Sequence, residues 1–144
     1  MARRLSRKTA LLAMYSFSMR GETEAKNCQP VRKTDWEDEV IALEAEDLEF
    51  SQNLYYKTIN SLDEIDNIIK EYSMNWDIER ISIIDKNIIR LALSELLFFP
   101  EISGRVTINE AIELSKEYGG EDSPRFINGI LDAVMRKINI DIED

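Results

Sequence analysis

Asp63, Glu64 and Asp66 fall within four positions of one another, and Glu110, Glu113 and Glu117 recur at helical spacing. Carboxylates grouped in this way can move protons or hold a divalent cation. The chain has no histidine, however, and a single cysteine, Cys28. Ser-His-Asp and Cys-His catalysis, zinc on histidine or on four cysteines, and histidine-bound haem are therefore excluded. Di-iron carboxylate bundles require Glu-x-x-His and are excluded with them. The acids that remain are expected to be solvated helix faces and charges near helix starts, where the helix dipole favours them. Gly119-Gly120 runs into Glu121-Asp122, which would repel a phosphate, and no Gly-Lys-Ser/Thr follows. The expectation is a non-enzyme with no cofactor and no metal.

The basic side chains point to different chemistry. On a helix turning 100° per residue, Arg3, Arg4, Arg7 and Lys8 gather in a sector of about 140°. Tyr15 borders that sector two turns on. Guanidinium groups on phosphates with an aromatic ring for base stacking are how single-stranded RNA is held; a solvated face, with Tyr15 in the core, is the plainer alternative. Residues 1–21 carry five cations and no acid, so a chain of formal net charge -10 has a body of -15. Contact with a polyanion must therefore be confined to the basic end.

Two further places draw notice. Tyr118 to Phe126 joins two helices and begins the second with exposed amides, which bind anions. Asp122 and Ser123 can satisfy those amides internally, and Phe126 can stack a base or pack inside. Asp85 lies in an apolar sector of the most apolar stretch. It either accepts backbone N–H bonds after Ser82 or is presented to a protein partner.

The elements that carry these residues read as helices. Arg3–Arg20 is expected to bury a stripe of Leu5, Leu12 and Met19. Gly21–Thr34 is a polar loop holding Cys28 and Pro30, and Asp35–Glu49 is acidic with Val40, Ile41 and Leu43. Helix continues over 47–60. Ser61 and Glu64 form a capping-box signature, opening a helix with Ile65, Ile68, Ile69 and Tyr72 inward. Ile78–Phe99 is apolar nearly all round, the mark of a central helix, with Lys86, Asn87 and Arg90 as its polar stripe and Pro100 as its stop. Thr107 and Glu110 form a second capping box for a helix to Tyr118, which Gly119 ends. Ser123-Pro124 starts a last helix to about Ile138. The class is all-α, with about seven helices. No apolar run reaches the roughly 18 residues of a membrane span, no signal-peptide cleavage site follows Arg20, and a single thiol fits a cytoplasmic protein.

Three stretches carry a resemblance to a known family. Arg3-Arg4-Leu5-Ser6-Arg7-Lys8 leads through Leu11 and Met14 to Tyr15. Asp85-Lys86-Asn87 continues through Ile88, Arg90 and Leu93 to Glu95-Leu96. Val106-Thr107-Ile108-Asn109-Glu110-Ala111 leads through Ser123, Phe126, Asn128 and Gly129 to Leu131-Asp132. Together they resemble the bacterial NusB family of transcription antitermination factors, over essentially the whole chain.

The resemblance implies two packed helical-bundle subdomains, near 1–75 and 76–144. It implies binding of boxA-containing single-stranded RNA together with NusE, a small-subunit ribosomal protein, in support of an RNA polymerase antitermination complex on ribosomal RNA operons. By the same resemblance Arg3, Arg4, Arg7, Lys8, Tyr15, Tyr118, Asp122 and Phe126 match RNA-contacting positions. Tyr72, Glu79 and Asp85 match the NusE-facing region, and Asn109 and Asn128 match structural ties at helix ends. A homodimer also occurs in folds of this kind. Leu5 and Ser6 depart from the family by thinning the basic run. Four phosphate contacts on a single strand give a salt slope of about -2.8. The alternatives are a helical protein adaptor that binds no RNA and an RNA-delivery domain for a modifying enzyme.

Overall fold

The structure, a computed structural model, describes residues 2–20, 45–73 and 78–143. The expectations for Cys28 and for the acidic stretch before residue 45 lie outside the described residues. Among the described residues there are six helices, one 3-10 turn and no strand. They are α1 (Ala2–Arg20), α2 (Ala45–Asn60), α3 (Leu62–Tyr72), the turn Ile78–Arg80, α4 (Ile83–Phe98), α5 (Gly104–Tyr118) and α6 (Ser123–Glu143). No helix is long and apolar enough to cross a membrane among the described residues.

The chain forms two compact units, Met1–Asn60 and Ser61–Asp144. A division after residue 75 was expected. Instead α3 belongs with the C-terminal helices, because Ile65 and Ile69 are fully buried and α3 packs on α4 and α6.

In the first unit α1 packs on α2. The buried face of α1 is Ala10, Leu11, Ala13, Met14 and Phe17, and α2 supplies Phe50, Leu54 and Tyr55. The expected stripe is not the core one: Leu5 and Leu12 are half-buried and Met19 is 60% exposed. Ser6, Arg7 and Thr9 are buried in their place, and both hydroxyls are hydrogen-bonded to backbone carbonyls. The Ser6 hydroxyl donates to the Asp47 carbonyl at 2.9 Å, and that of Thr9 donates to the Leu5 carbonyl at 2.9 Å.

In the second unit α4 is the central element, packed against α3, α5 and α6. It is preceded by the turn Ile78–Arg80 and starts five residues later than the apolar run suggests. Ser82 caps it, its hydroxyl accepting the Asp85 N–H at 3.1 Å. The polar stripe is a correction. Asn87 is fully buried and Arg90 is 1% exposed, while Lys86 is half-buried. Arg90 donates Nε to Asp66 Oδ1 and Nη2 to Asp66 Oδ2, both at 2.8 Å, and Nη1 to Asn87 Oδ1 at 3.0 Å. A guanidinium fork on a carboxylate satisfies planar geometry at both ends. Asp66 is thus the structural partner of a buried cation.

Helix starts also differ in detail. Ser61 precedes α3, but its side chain makes no capping hydrogen bond. The second capping box does not form: α5 begins at Gly104, with the Ser103 carbonyl accepting the Thr107 N–H at 3.1 Å. Thr107 is buried inside the helix and donates its hydroxyl to Glu95 Oε1 at 3.1 Å. Gly104, the first residue of α5, packs closely on α6 and α4. A Cβ there would lie 2.8 Å from Met135 Sδ, so the Met135 side chain would have to shift. Asn109 and Asn128 are exposed within α5 and α6.

The buried ion pair gives the first test. Removing one partner strands the other charge, so Asp66→Ala should cost about 3–5 kcal/mol in urea unfolding. Replacing both as Asp66→Leu with Arg90→Met should recover most of that loss. An Asp66→Ala protein as stable as the parent contradicts the assignment.

Candidate nucleic-acid interface

The basic residues stand in the first two turns of α1, with no acid in the first turn. This is the end of a helix where the dipole disfavours cations, so the arrangement opposes helix stability. Phe50 on α2 offsets part of the strain. The Arg3 guanidinium lies over its ring at 3.9 Å from the centroid, and that of Arg7 at 5.7 Å. A desolvated guanidinium on an aromatic face is attracted by the ring quadrupole.

The four cations therefore divide. Arg3 and Arg4 are exposed and Lys8 is half-buried, whereas Arg7 is 5% exposed. Arg4, Lys8 and Tyr15 fall within one narrow sector of α1 at helical spacing. Tyr15 is 39% exposed, so its ring is presented rather than packed in the core. Arg7 belongs to the packing of α1 on α2.

In the second unit Asp85, Asp122 and Phe126 line one cavity of about 330 Å³, together with Arg80, Ser82 and Ser123. Glu121 also lines it, so three carboxylates face one guanidinium. The loop after α5 is held tightly. The Gly119 N–H donates to the Ser115 carbonyl at 2.9 Å, and the Phe126 N–H donates to the Asp122 carbonyl at 3.2 Å. A Cβ at Gly119 would lie 2.7 Å from Ser123 Oγ and 2.8 Å from the Ser115 carbonyl oxygen, so this close approach requires glycine. Asp122 is exposed, while Tyr118 and Phe126 are half-buried.

Asp85 is half-buried and does not cap its own helix with its carboxylate. Its Oδ2 accepts the Ser123 hydroxyl at 2.9 Å, and its Oδ1 is buried with no hydrogen-bond partner among the described residues. Glu79 is exposed on the 3-10 turn, and Tyr72 is half-buried at the end of α3. Neither lines the cavity with Asp85. Sequence reasoning missed Phe50 and Ser123. Phe50 sits in an acidic helix with nothing to mark it. Ser123 had the signature of a cap, and only its hydroxyl's partners reveal another task. Among the described residues there is no cluster of three or more Cys, Asp or Glu able to hold a metal ion.

Comparison with known proteins shows the family and the fold. The model of the NusB family matches residues 4–136. A transcription antitermination protein NusB from Desulfitobacterium hafniense is 41% identical over 139 residues, covering 96% of this chain and 91% of that protein. A solved structure of NusB from T. maritima superposes with a TM-score of 0.79 at 32% identity, over 93% of this chain and 90% of the other. A crystal structure of the antitermination factors NusB and NusE in complex with double-stranded RNA gives a TM-score of 0.79 at 26% identity, over 94% and 97%.

The division among the cations is testable without any ligand. Arg7→Ala should lower unfolding free energy by about 1–2 kcal/mol through lost packing on Phe50. Arg4→Ala should change it by less than about 0.5 kcal/mol. Chemical denaturation followed by circular dichroism measures both, and equal effects would contradict the division.

Proposed function

Because this chain belongs to the NusB family of transcription antitermination proteins, we propose that it binds boxA-containing RNA jointly with NusE, in the cytoplasm, and so supports antitermination by RNA polymerase on ribosomal RNA operons. The observation that carries the reading is the cation-rich start of α1. It sits on a chain of net charge -10, at the helix end where those charges oppose stability. A cost of that kind is retained where a polyanion is bound.

In this reading Arg3, Arg4 and Lys8 contact phosphates and fix the register of the strand, which carries no sequence information by itself. Tyr15, Tyr118 and Phe126 offer faces to unstacked bases, and the exposed Asp122 accepts hydrogen bonds from base donors. Arg7 is a support for the contact face. Tyr72, Glu79 and Asp85 meet NusE, whose basic surface complements the acidic lining around Asp85. The solved NusB–NusE complex with RNA supports such a ternary assembly. Each ligand then raises the affinity of the other by the same factor.

Fluorescence anisotropy of a boxA strand and a scrambled strand, each with and without NusE, tests this directly. Selective binding that tightens with NusE is the expected result. With three phosphate contacts the salt slope on single-stranded RNA should be about -2, and Arg4→Ala with Lys8→Ala should flatten it. Equal weak binding to both strands, unchanged by NusE, would overturn the proposal in favour of a protein adaptor.

A further inference from the structure

We propose that Ser123 is a positioning residue that couples the partner-facing carboxylate Asp85 to the RNA-contacting loop 119–126; the inference rests on the joint binding of RNA and NusE just described. The Ser123 hydroxyl is engaged on both sides. It accepts the Gly120 N–H at 2.9 Å and donates to Asp85 Oδ2 at 2.9 Å. The side chain is 5% exposed, so both bonds are largely shielded from bulk water.

This is not a capping serine at work. A cap accepts from amides two or three positions into its own helix, and the Phe126 N–H is already taken by the Asp122 carbonyl. The hydroxyl instead reaches back to the loop and across to α4, bridging residues 38 apart in the chain. Its contact with the loop is intimate, since a Cβ at Gly119 would stand only 2.7 Å from it. Loss of the hydroxyl removes the tie that holds the Gly119-Gly120 backbone against α4.

Asp85 bears a cost for its part. Its Oδ1 is buried without a partner among the described residues, and an unsatisfied buried acceptor destabilises a fold. Stability alone does not favour that arrangement. It makes sense where the carboxylate must hold Ser123 and face the cavity shared with Asp122 and Phe126. A partner that reorients Asp85 moves Ser123, and with it the loop, so the two binding events become linked.

The test is the factor by which saturating NusE tightens boxA RNA, measured by anisotropy on the full chain. Ser123→Ala should cut that factor at least threefold while the thermal midpoint stays within a few degrees of the parent. Asp85→Ala should cut it as far, and the double variant no further, because the two residues act as one unit. The reciprocal effect of RNA on NusE affinity should fall by the same factor. Enhancement that survives Ser123→Ala overturns this inference alone. Loss of enhancement that only follows a loss of thermal stability also overturns it, since that is a structural role. A parent chain whose RNA affinity NusE does not change overturns both this inference and the joint-binding reading.

Discussion

A buried guanidinium organises the second unit. Arg90 lies in the middle of the central helix, 1% exposed, where an uncompensated charge would be prohibitive. Asp66 on α3 answers it with both oxygens, and Asn87 takes the remaining direction. Because a fork on a carboxylate tolerates little sliding, α3 is held in one register along α4. The ion pair adds specificity more than stability, as buried pairs commonly break even against apolar residues. With α3 seated, the faces of α4 that remain serve α5 and α6, and the start of α4 is free to present Asp85 beside Ser123.

The two units illustrate different uses of charge. In the second, a buried cation and a buried hydroxyl are each matched by a carboxylate: Arg90 by Asp66, and Thr107 by Glu95. In the first, cations are gathered where the helix dipole opposes them, and the guanidinium groups of two of them lie over an aromatic ring. Phe50 steadies both guanidinium groups, that of the buried Arg7 and that of Arg3, which stays exposed.

How legible all this was from sequence depends on the kind of interaction. The all-α class, the central place of α4 and the inward Ile65 and Ile69 follow from apolar spacing, which is local and periodic. The buried Arg90 and Asn87 do not, because their partners are set by tertiary geometry and polar residues at helical spacing look like a solvated stripe. The same reason explains α1, where Ser6, Arg7 and Thr9 enter the interior and Met19 stays outside. The capping box at Thr107 misled because Thr107 and Glu110 match its local pattern, while the Thr107 hydroxyl is claimed by Glu95, twelve positions away. Of the site, the basic residues, Asp85 and Phe126 could be named from residue type and resemblance. The roles of Phe50 and Ser123 required coordinates.

The ring of Phe50 also sets an entropic term. A long basic side chain carries about 2 kcal/mol of rotamer entropy, which is surrendered when a ligand immobilises it. Arg3 rests 3.9 Å from the centre of that ring, so part of its freedom is given up when the chain folds rather than when a strand arrives. The heat and entropy of capture at the basic helix are therefore governed partly from α2, by a side chain that is 7% exposed and that no nucleotide has to touch.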